Sequence, residues 1–483
     1  MGASPRPQPR RRILVLGLGA FGGGAGAARW LVRHGHEVTV TDLRSSSQLP
    51  EAHRILDPHP VRWHVGGHDE ALFARAEVVV VNPAVPRDSP WLACARRHGC
   101  QLTTEVNLAL AEAREVPALA LTGTHGKSTA ASLAAWILER SGTGGRVVLA
   151  GNLGGSVLEA VEGLGPEDRL VLELSSFQTE ALEAPAGWPR VAALTGLGLD
   201  HLDRHGTAAA YAEAKRRLLD FQDGEGAALL PGALAEDPAW RERVRGRLFL
   251  LEPELGRRPW PEGARGWGAG PEGLLEFGPD GPRLLARRER LPLREPYRLA
   301  SLLVAAGGAR LLGAPAESLE EALQGWPGLP HRMQPLPAPP GRPRVDNGVA
   351  THPEPTAAAL EAARGPVVLV AGGKDKGLDL ERLAAACRRR CRALHLFGEG
   401  GLRLREALGA GGPECRLHGH LEAAVLAALA DQREGETLLF SPSFASYDAF
   451  RNFADRARVF GDLCRQAAGE NPAPGGDSPP RVS

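Results

Sequence analysis

Residues 118–129 constrain the fold more than any other stretch. Ala118-Leu-Ala-Leu-Thr122 reads as a short buried strand, Gly123-Thr-His-Gly126 as a tight turn, and Ser128 onward as a helix carrying Ala130, Ala131, Leu133 and Trp136. A strand feeding a glycine turn that ends in Gly-Lys-Ser is a phosphate cradle. Backbone N–H groups at the helix start face the anion, a lysine neutralises it, and a serine hydroxyl is placed to hold Mg²⁺. The full P-loop pattern has a further glycine five positions before Gly126, where Leu121 stands. The motif is therefore a shortened Gly-Thr-x-Gly-Lys-Ser, and the sheet around it is expected to be α/β and parallel.

At 483 residues the chain exceeds a single core, so roughly two to four domains are expected. Formal net charge is zero, which argues against a partner held by bulk charge, whether nucleic acid or an anionic membrane surface. No apolar run reaches the roughly 18 residues a membrane span needs. The six cysteines form no Cys-x-x-Cys pair, and the expectation is a reduced, cytoplasmic protein. Of 57 basic residues only four are lysine, at 127, 215, 374 and 376. Arginine cannot replace a compact ammonium or an amine that has to lose its proton, so all four are functional candidates.

In chain order, residues 1–12 are expected to be disordered. Residues 12–22 are a strand entering Gly17-Leu18-Gly19-x-x-Gly22, followed by a helix and by the strand Glu37-Val-Thr-Val-Thr-Asp42. A glycine turn at a helix start with an acidic residue closing the second strand is the dinucleotide-binding arrangement. Residues 78–81 are another buried strand, after which Asn82 is expected at a ligand or in a plain turn. Past the phosphate turn, residues 147–155 are a strand and a polar glycine turn carrying Asn152. Residues 169–178, Arg169-Leu-Val-Leu-Glu-Leu-Ser-Ser-Phe-Gln178, are a strand with Glu173 embedded in its apolar run. A carboxylate there is costly to bury unless it meets a cation, and Mg²⁺ beside the phosphate turn is its natural partner. Residues 200–215 crowd Asp200, His201, Asp203, His205 and Lys215 after the strand at 191–195.

Together these stretches resemble the Mur ligase family, from about Ile13 to Phe460. Gly-Thr-x-Gly-Lys-Ser is common to the family, and Glu173-Leu-Ser-Ser-Phe-Gln178 is similar to its D-glutamate-adding branch. The resemblance implies three domains: a Rossmann-like UDP-binding domain at 13–115, a central P-loop ATPase-type domain with a parallel sheet at 116–330, and a Rossmann-like amino-acid-binding domain at 331–466. A disordered tail is expected at 467–483. It implies an ATP-dependent ligase that activates the carboxylate of UDP-N-acetylmuramoyl-L-alanine as an acyl phosphate and joins it to D-glutamate, in peptidoglycan precursor synthesis. Catalysis would fall to Lys127, Glu173, His201 and a carbamylated Lys215. Gly123, Thr124, His125, Gly126, Lys127, Ser128, Thr129, Arg332 and Asn347 would hold ATP, while Ser128, Glu173, His201 and Lys215 would hold Mg²⁺. The UDP-sugar would meet Gly17, Leu18, Gly19, Asp42, Asn82, Asn152, Ser175 and Gln178. D-Glutamate would meet Thr351, Lys376, Ser446 and Phe453. Closure of the third domain about Gly328 to Arg332 is expected to assemble the site, and a monomer is expected.

The sequence also departs from the family pattern. Gly196 and Gly198 replace an asparagine and a hydroxyl residue, Tyr297 and Ala300 stand where adenine-contacting asparagines are expected, and Asp346-Asn347 is inverted. Three rivals follow: a sister ligase adding L-alanine, suggested by His125; a weakly active or non-catalytic UDP-sugar binder; and an oxidoreductase built on the first glycine motif, which leaves Lys127, Glu173 and Lys215 without a role.

Overall fold

The computed structural model describes residues 10–469 except 20, 21, 199, 257–259, 295, 376, 410, 447, 448 and 451. The chain divides into two compact units, 1–326 and 327–483, a division just before the expected 330/331 boundary.

The first unit holds two sheets. Strands β1 (Arg12–Leu16), β2 (Glu37–Asp42), β3 (Arg62–Val65), β4 (Val78–Val81) and β5 (Gln101–Thr103) form a sheet of order β3-β2-β1-β4-β5, with every pairing parallel. Val78 to Val80 are buried, as β-branched strands covered on both faces should be. Arg12, within the expected tail, already pairs with Glu37. The chain reverses direction across the sheet between β1 and β4, and such a switch point leaves a crevice at the strand ends.

The second sheet is β6 (Ala118–Thr122), β7 (Val147–Gly151), β8 (Arg169–Glu173), β9 (Val191–Leu194), β10 (Ala227–Pro231), β11 (Arg247–Glu252), β12 (Gly266–Ala269), β13 (Gly273–Gly278) and β14 (Gly281–Arg287). Its order is β14-β13-β12-β11-β10-β9-β6-β8-β7. The sheet is mixed where a parallel one was expected. β12 with β13 and β13 with β14 pair antiparallel because only residues 270–272 and 279–280 connect them, too few for a crossover. β6 is interior, third from the β7 edge, and the chain changes sides between β8 and β9, placing the switch point at the end of β6. The helices Lys127–Arg140 and Pro296–Leu311 pack together on this sheet through Leu133, Ile137, Leu302 and Leu303.

In the second unit β15 (Gln334–Leu336), β16 (Arg344–Asp346), β17 (Val367–Gly372), β18 (Cys391–Phe397), β19 (Glu414–His418) and β20 (Thr437–Ser443) give the order β15-β16-β20-β17-β18-β19. Only β15 runs antiparallel. Its switch point lies between β17 and β20. Among the described residues no helix is long and apolar enough to cross a membrane.

Candidate active site

The phosphate turn follows β6, and the first helical residue after it is Lys127, with Gly126 as a left-handed cap at φ 80°. That leaves the first N–H groups of the helix directed out of its end. The turn is held by its carbonyls. Lys127 Nζ donates to Gly123 O and Thr124 O, both at 3.0 Å. Thr195 Oγ1 donates to His125 O at 2.5 Å, and Ser301 Oγ to Gly126 O at 3.1 Å. Four successive carbonyls are thus tied to side chains. A Cβ on Gly123 would lie 2.1 Å from Thr195 Oγ1, and one on Gly126 2.3 Å from Ser301 Oγ, so both glycines are required by space as well as by φ.

Lys215 comes from the helix Ala208–Arg216 and is 1% exposed. Its Nζ donates to the same Gly123 oxygen at 2.8 Å and lies 4.6 Å from the centre of the Tyr211 ring. Two amines therefore meet one carbonyl. Burial, then the charge of Lys127, pull the Lys215 pKa down to about 7, against the opposing pull of Asp200 and Glu173. Glu173, 1% exposed, sits at the end of β8 beside Leu121 in register. Asn152 Nδ2 reaches its carboxylate at 3.5 Å.

This donor set fits a hard divalent cation. Glu173 offers a carboxylate one strand from the turn, and Ser128 and Thr129 offer hydroxyl groups in the first turn of the helix. His201 lies at the rim. Its side chain is 47% exposed, its φ is 51°, and it pairs with Asp200 at 3.5 Å. Its ring is 5.0 Å from that of Phe177 and 6.5 Å from that of Tyr211. Gly198 holds the turn through its backbone, its N–H donating to Thr124 Oγ1 at 2.8 Å, with Tyr211 OH donating to the same oxygen at 3.2 Å. The side chain of Tyr297 lies outside the described ones.

In the first sheet Gly17 and Gly19 have φ of 82° and 70°, and Asn82, after the neighbouring β4, abuts both. Asp42 is buried and accepts from Leu18 N at 2.9 Å and from Arg44, whose Nη2 also donates to Gly19 O at 2.9 Å. Burial alone would raise the Asp42 pKa, but the hydrogen bonds from Arg44 and Leu18 carry it below the usual range. Asp42 is thus the clamp of the glycine turn, and Arg44 is the solvent-facing member of the pair. Ser175 and Gln178 form a capping box on the helix Ser176–Glu180. Their expected sugar contacts are limited to what this cap leaves over.

In the second unit, the ends of β17 and β20 are bridged by paired backbone bonds between Lys374 and Ala445 of 3.0 and 3.2 Å. Beneath them the buried Arg456 Nη1 donates to Gly372 O at 3.3 Å and Ala445 O at 3.0 Å. Ser446 is buried beside this bridge, Phe453 opens the helix Phe453–Gln466, and Thr351 Oγ1 lies 3.2 Å from His352 Nδ1. Lys376 lies outside the described residues. Asn347, expected to hold ATP, lies inside the second unit. It is buried, with Nδ2 donating to Ser441 Oγ at 3.0 Å and Oδ1 accepting from Met333 N at 3.3 Å. Its amide is already committed to the core. Arg332 is flanked by His331 and Met333 at φ 59° and 49°.

Sequence reasoning missed Arg44, Thr195, Ser301 and Arg456. Only Arg44, two residues past the acidic strand end, carried a local signal.

Three family models match along the chain. They are the Mur ligase MurD-like N-terminal domain over residues 11–104, the Mur ligase middle domain over 121–248, and the Mur ligase glutamate ligase domain over 331–444. The UDP-N-acetylmuramoylalanine--D-glutamate ligase of Geobacter metallireducens is 36% identical over 445 residues, covering 90% of this chain and 94% of that protein. The enzyme of the same name from Roseiflexus sp. is 34% identical over 449 residues, covering 91% and 95%. Among solved structures, the UDP-N-acetylmuramate-alanine ligase MurC of Thermotoga maritima superposes with a TM-score of 0.59 at 16% identity, covering 95% of this chain and 100% of that one. The MurF ligase of Thermotoga maritima in complex with ADP gives 0.53 at 16% identity, covering 90% and 95%.

Proposed function

The chain belongs to the Mur ligase family, and from that premise we propose that it joins D-glutamate to UDP-N-acetylmuramoyl-L-alanine at the expense of ATP, in peptidoglycan precursor synthesis. The observation that carries the reading is the convergence of Lys127 and Lys215 on the Gly123 carbonyl, one strand from the buried Glu173.

A carboxylate and an amine do not condense unaided at neutral pH, so the alanyl carboxylate first attacks the γ-phosphorus of ATP and ADP leaves. In this reading the amides of the turn from Gly123 through Thr124, His125 and Gly126, with Lys127 Nζ, hold the β- and γ-phosphates in line. Ser128 or Thr129 with Glu173 would hold one Mg²⁺, and His201 with Lys215 a second. Magnesium, when bound, neutralises charge building on the transferring phosphoryl group. Lys215 reaches a ligand's charge by carbamylation: its unprotonated amine attacks the carbon of carbon dioxide and releases one proton, giving a carboxylate on nitrogen. A pKa of about 7 leaves that amine available near neutrality. The amine of D-glutamate then attacks the acyl phosphate, and inorganic phosphate leaves.

We assign the UDP end to residues 13–115, with pyrophosphate at Gly17, Leu18 and Gly19, uridine beside Asp42, and Asn82 across the crevice. Asn152, Ser175 and Gln178 face the muramoyl-alanine portion. In 331–466, Thr351, Lys376, Ser446 and Phe453 are the glutamate set, with Arg332 turned to nucleotide. The same reading has it act in the cytoplasm, as a monomer.

Phosphate release tests the reading. Activity is expected with UDP-N-acetylmuramoyl-L-alanine plus D-glutamate, and not with L-glutamate or L-alanine. Turnover of UDP-N-acetylmuramate with L-alanine instead would overturn it in favour of the sister ligase, and no turnover at all would favour a binding protein. Small-angle scattering that finds no compaction with an ATP analogue and substrate would count against domain closure.

A further inference from the structure

Away from the residues assigned to the reaction, the first unit carries a cluster of mixed donors. Glu70 opens the helix Glu70–Arg75, Cys94 lies on the helix Pro90–Arg97, and His98 closes that second helix. Cys94 and His98 are four residues apart, so a helix sets them on one face. A His98 ring nitrogen, Cys94 Sγ and a Glu70 carboxylate oxygen all lie within 4.8 Å of one another, with His98 Nε2 3.0 Å from Glu70 Oε1. Tetrahedral coordination with bonds near 2.0–2.3 Å holds its ligands about 3–4 Å apart, so small side-chain movements close this set on an ion.

We propose that Glu70, Cys94 and His98 form a binding site for a borderline-soft divalent cation of the Zn²⁺ class, with water in the fourth position, that joins the helix Glu70–Arg75 to the helix Pro90–Arg97. One sulfur, one imidazole nitrogen and one carboxylate oxygen is a zinc donor set and a poor one for Mg²⁺. Access is from the rim. Cys94 is 2% exposed and forms the floor, while the side chains of Glu70 and His98 are 59% and 31% exposed. Two other groups approach the cluster. Arg97 Nη2 is 3.4 Å from Glu70 Oε1 on an arm 63% exposed, which can swing away. Cys100 donates its thiol to Phe73 O at 3.2 Å and Ala76 O at 3.4 Å, so it faces elsewhere. In the free protein burial and the Glu70 charge keep the Cys94 thiol protonated. Binding therefore forms the sulfur–metal bond and releases that proton to solvent.

The test uses the full chain with Co²⁺ as a spectroscopic stand-in. A thiolate-to-cobalt charge-transfer band should appear with one equivalent of Co²⁺ and be displaced by Zn²⁺, and Zn²⁺ should raise the thermal midpoint. Cys94→Ser should abolish the band. His98→Gln and Glu70→Gln, at exposed side chains that leave the fold intact, should weaken binding roughly tenfold or more. Cys391→Ser, which alters the separate thiol neighbourhood of Cys387, Cys391 and Cys415, should leave the band unchanged. Absence of the band, or a band that survives both Cys94→Ser and His98→Gln, overturns the proposal. If Cys94→Ser fails to fold, His98→Gln and Glu70→Gln decide it.

Discussion

Lys215 and Lys127 donate to the same carbonyl oxygen, and that shared acceptor makes the two residues interdependent. A buried cation beside a second cation is held unprotonated more easily, which is why the Lys215 pKa falls to about 7. Lys215→Arg keeps a positive charge but can neither lose its proton nor accept carbon dioxide. Its phosphate-release rate should fall roughly 100-fold or more, since the carbamate that would hold the second Mg²⁺ can no longer form. Below about pH 7 the fraction of reactive amine drops tenfold per unit, so wild-type activity should decline there and recover partly with added bicarbonate. The scarcity of lysine made this residue legible in the sequence. Arg456 was not, because arginine abounds and only the folded backbone shows that this guanidinium reaches Gly372. Glu105 is a second residue the sequence hid. Its stem is partly exposed, but its carboxyl is enclosed, accepts from Ser156 Oγ at 2.6 Å, and has its pKa pushed up to about 7, chiefly by burial. The folded chain keeps that proton while the unfolded chain loses it near 4.5. Stability from this group is therefore complete below pH 4.5, is lost as pH rises to about 7, and is flat beyond, a span of roughly 3 kcal/mol. Glu105→Gln should remove that slope, gaining on wild type between pH 5 and pH 8 in denaturant titrations.

At the scale of the element, the phosphate turn is a structure of anchored carbonyls. Thr195→Val would leave His125 O without its 2.5 Å donor, and should cost about 1–3 kcal/mol of stability and weaken nucleotide binding. Gly126→Ala meets both the Ser301 hydroxyl and a left-handed φ of 80°. A cost of about 1–3 kcal/mol is expected from the backbone alone. Adding Ser301→Ala should recover the clash and not the strain, and thermal melts of the two variants separate the contributions. The turn, its strand and its helix were readable because their pattern is local. Thr195 and Ser301 were not, since they arrive from 70 and 175 residues away along the chain. The hairpin β13–β14 was missed for a different reason. Its turn lies in Gly278-Pro-Asp-Gly-Pro282, a composition that reads as loop and hides the strand ends on either side.

On the scale of the molecule, two compact units share one chain, and the second carries its own strained entry. His331 and Met333 sit in the left-handed region and are fastened from within the unit, His331 Nδ1 to Asp346 Oδ2 at 2.7 Å and Met333 N to Asn347 Oδ1 at 3.3 Å. Strain of this kind persists only where surroundings hold it. Asp346→Ala removes the acceptor of both His331 and Gly348 N and should cost the second unit about 2–3 kcal/mol. Calorimetry should show one transition moving down while the other stays, whereas a single shifted transition would mean the units unfold together. Two of the sheets were foreseeable from the glycine-ended strands at 12–22 and 118–126, and the third from the family resemblance. The inverted pair Asp346-Asn347 was visible, but not its role, because only the fold shows both side chains buried and bonded, Asp346 to His331 and Gly348 and Asn347 to Met333 and Ser441.

Two amines hung from a single oxygen also impose an order of events. When nucleotide phosphates draw Lys127 away from Gly123, the smaller of the two causes that lower the Lys215 pKa is lost, burial remaining, and Lys215 reprotonates more readily. Carbon dioxide supplied before nucleotide should therefore react more completely. Protein stripped of bicarbonate and then given ATP should start with a lag, and the reverse order of addition should start at full speed.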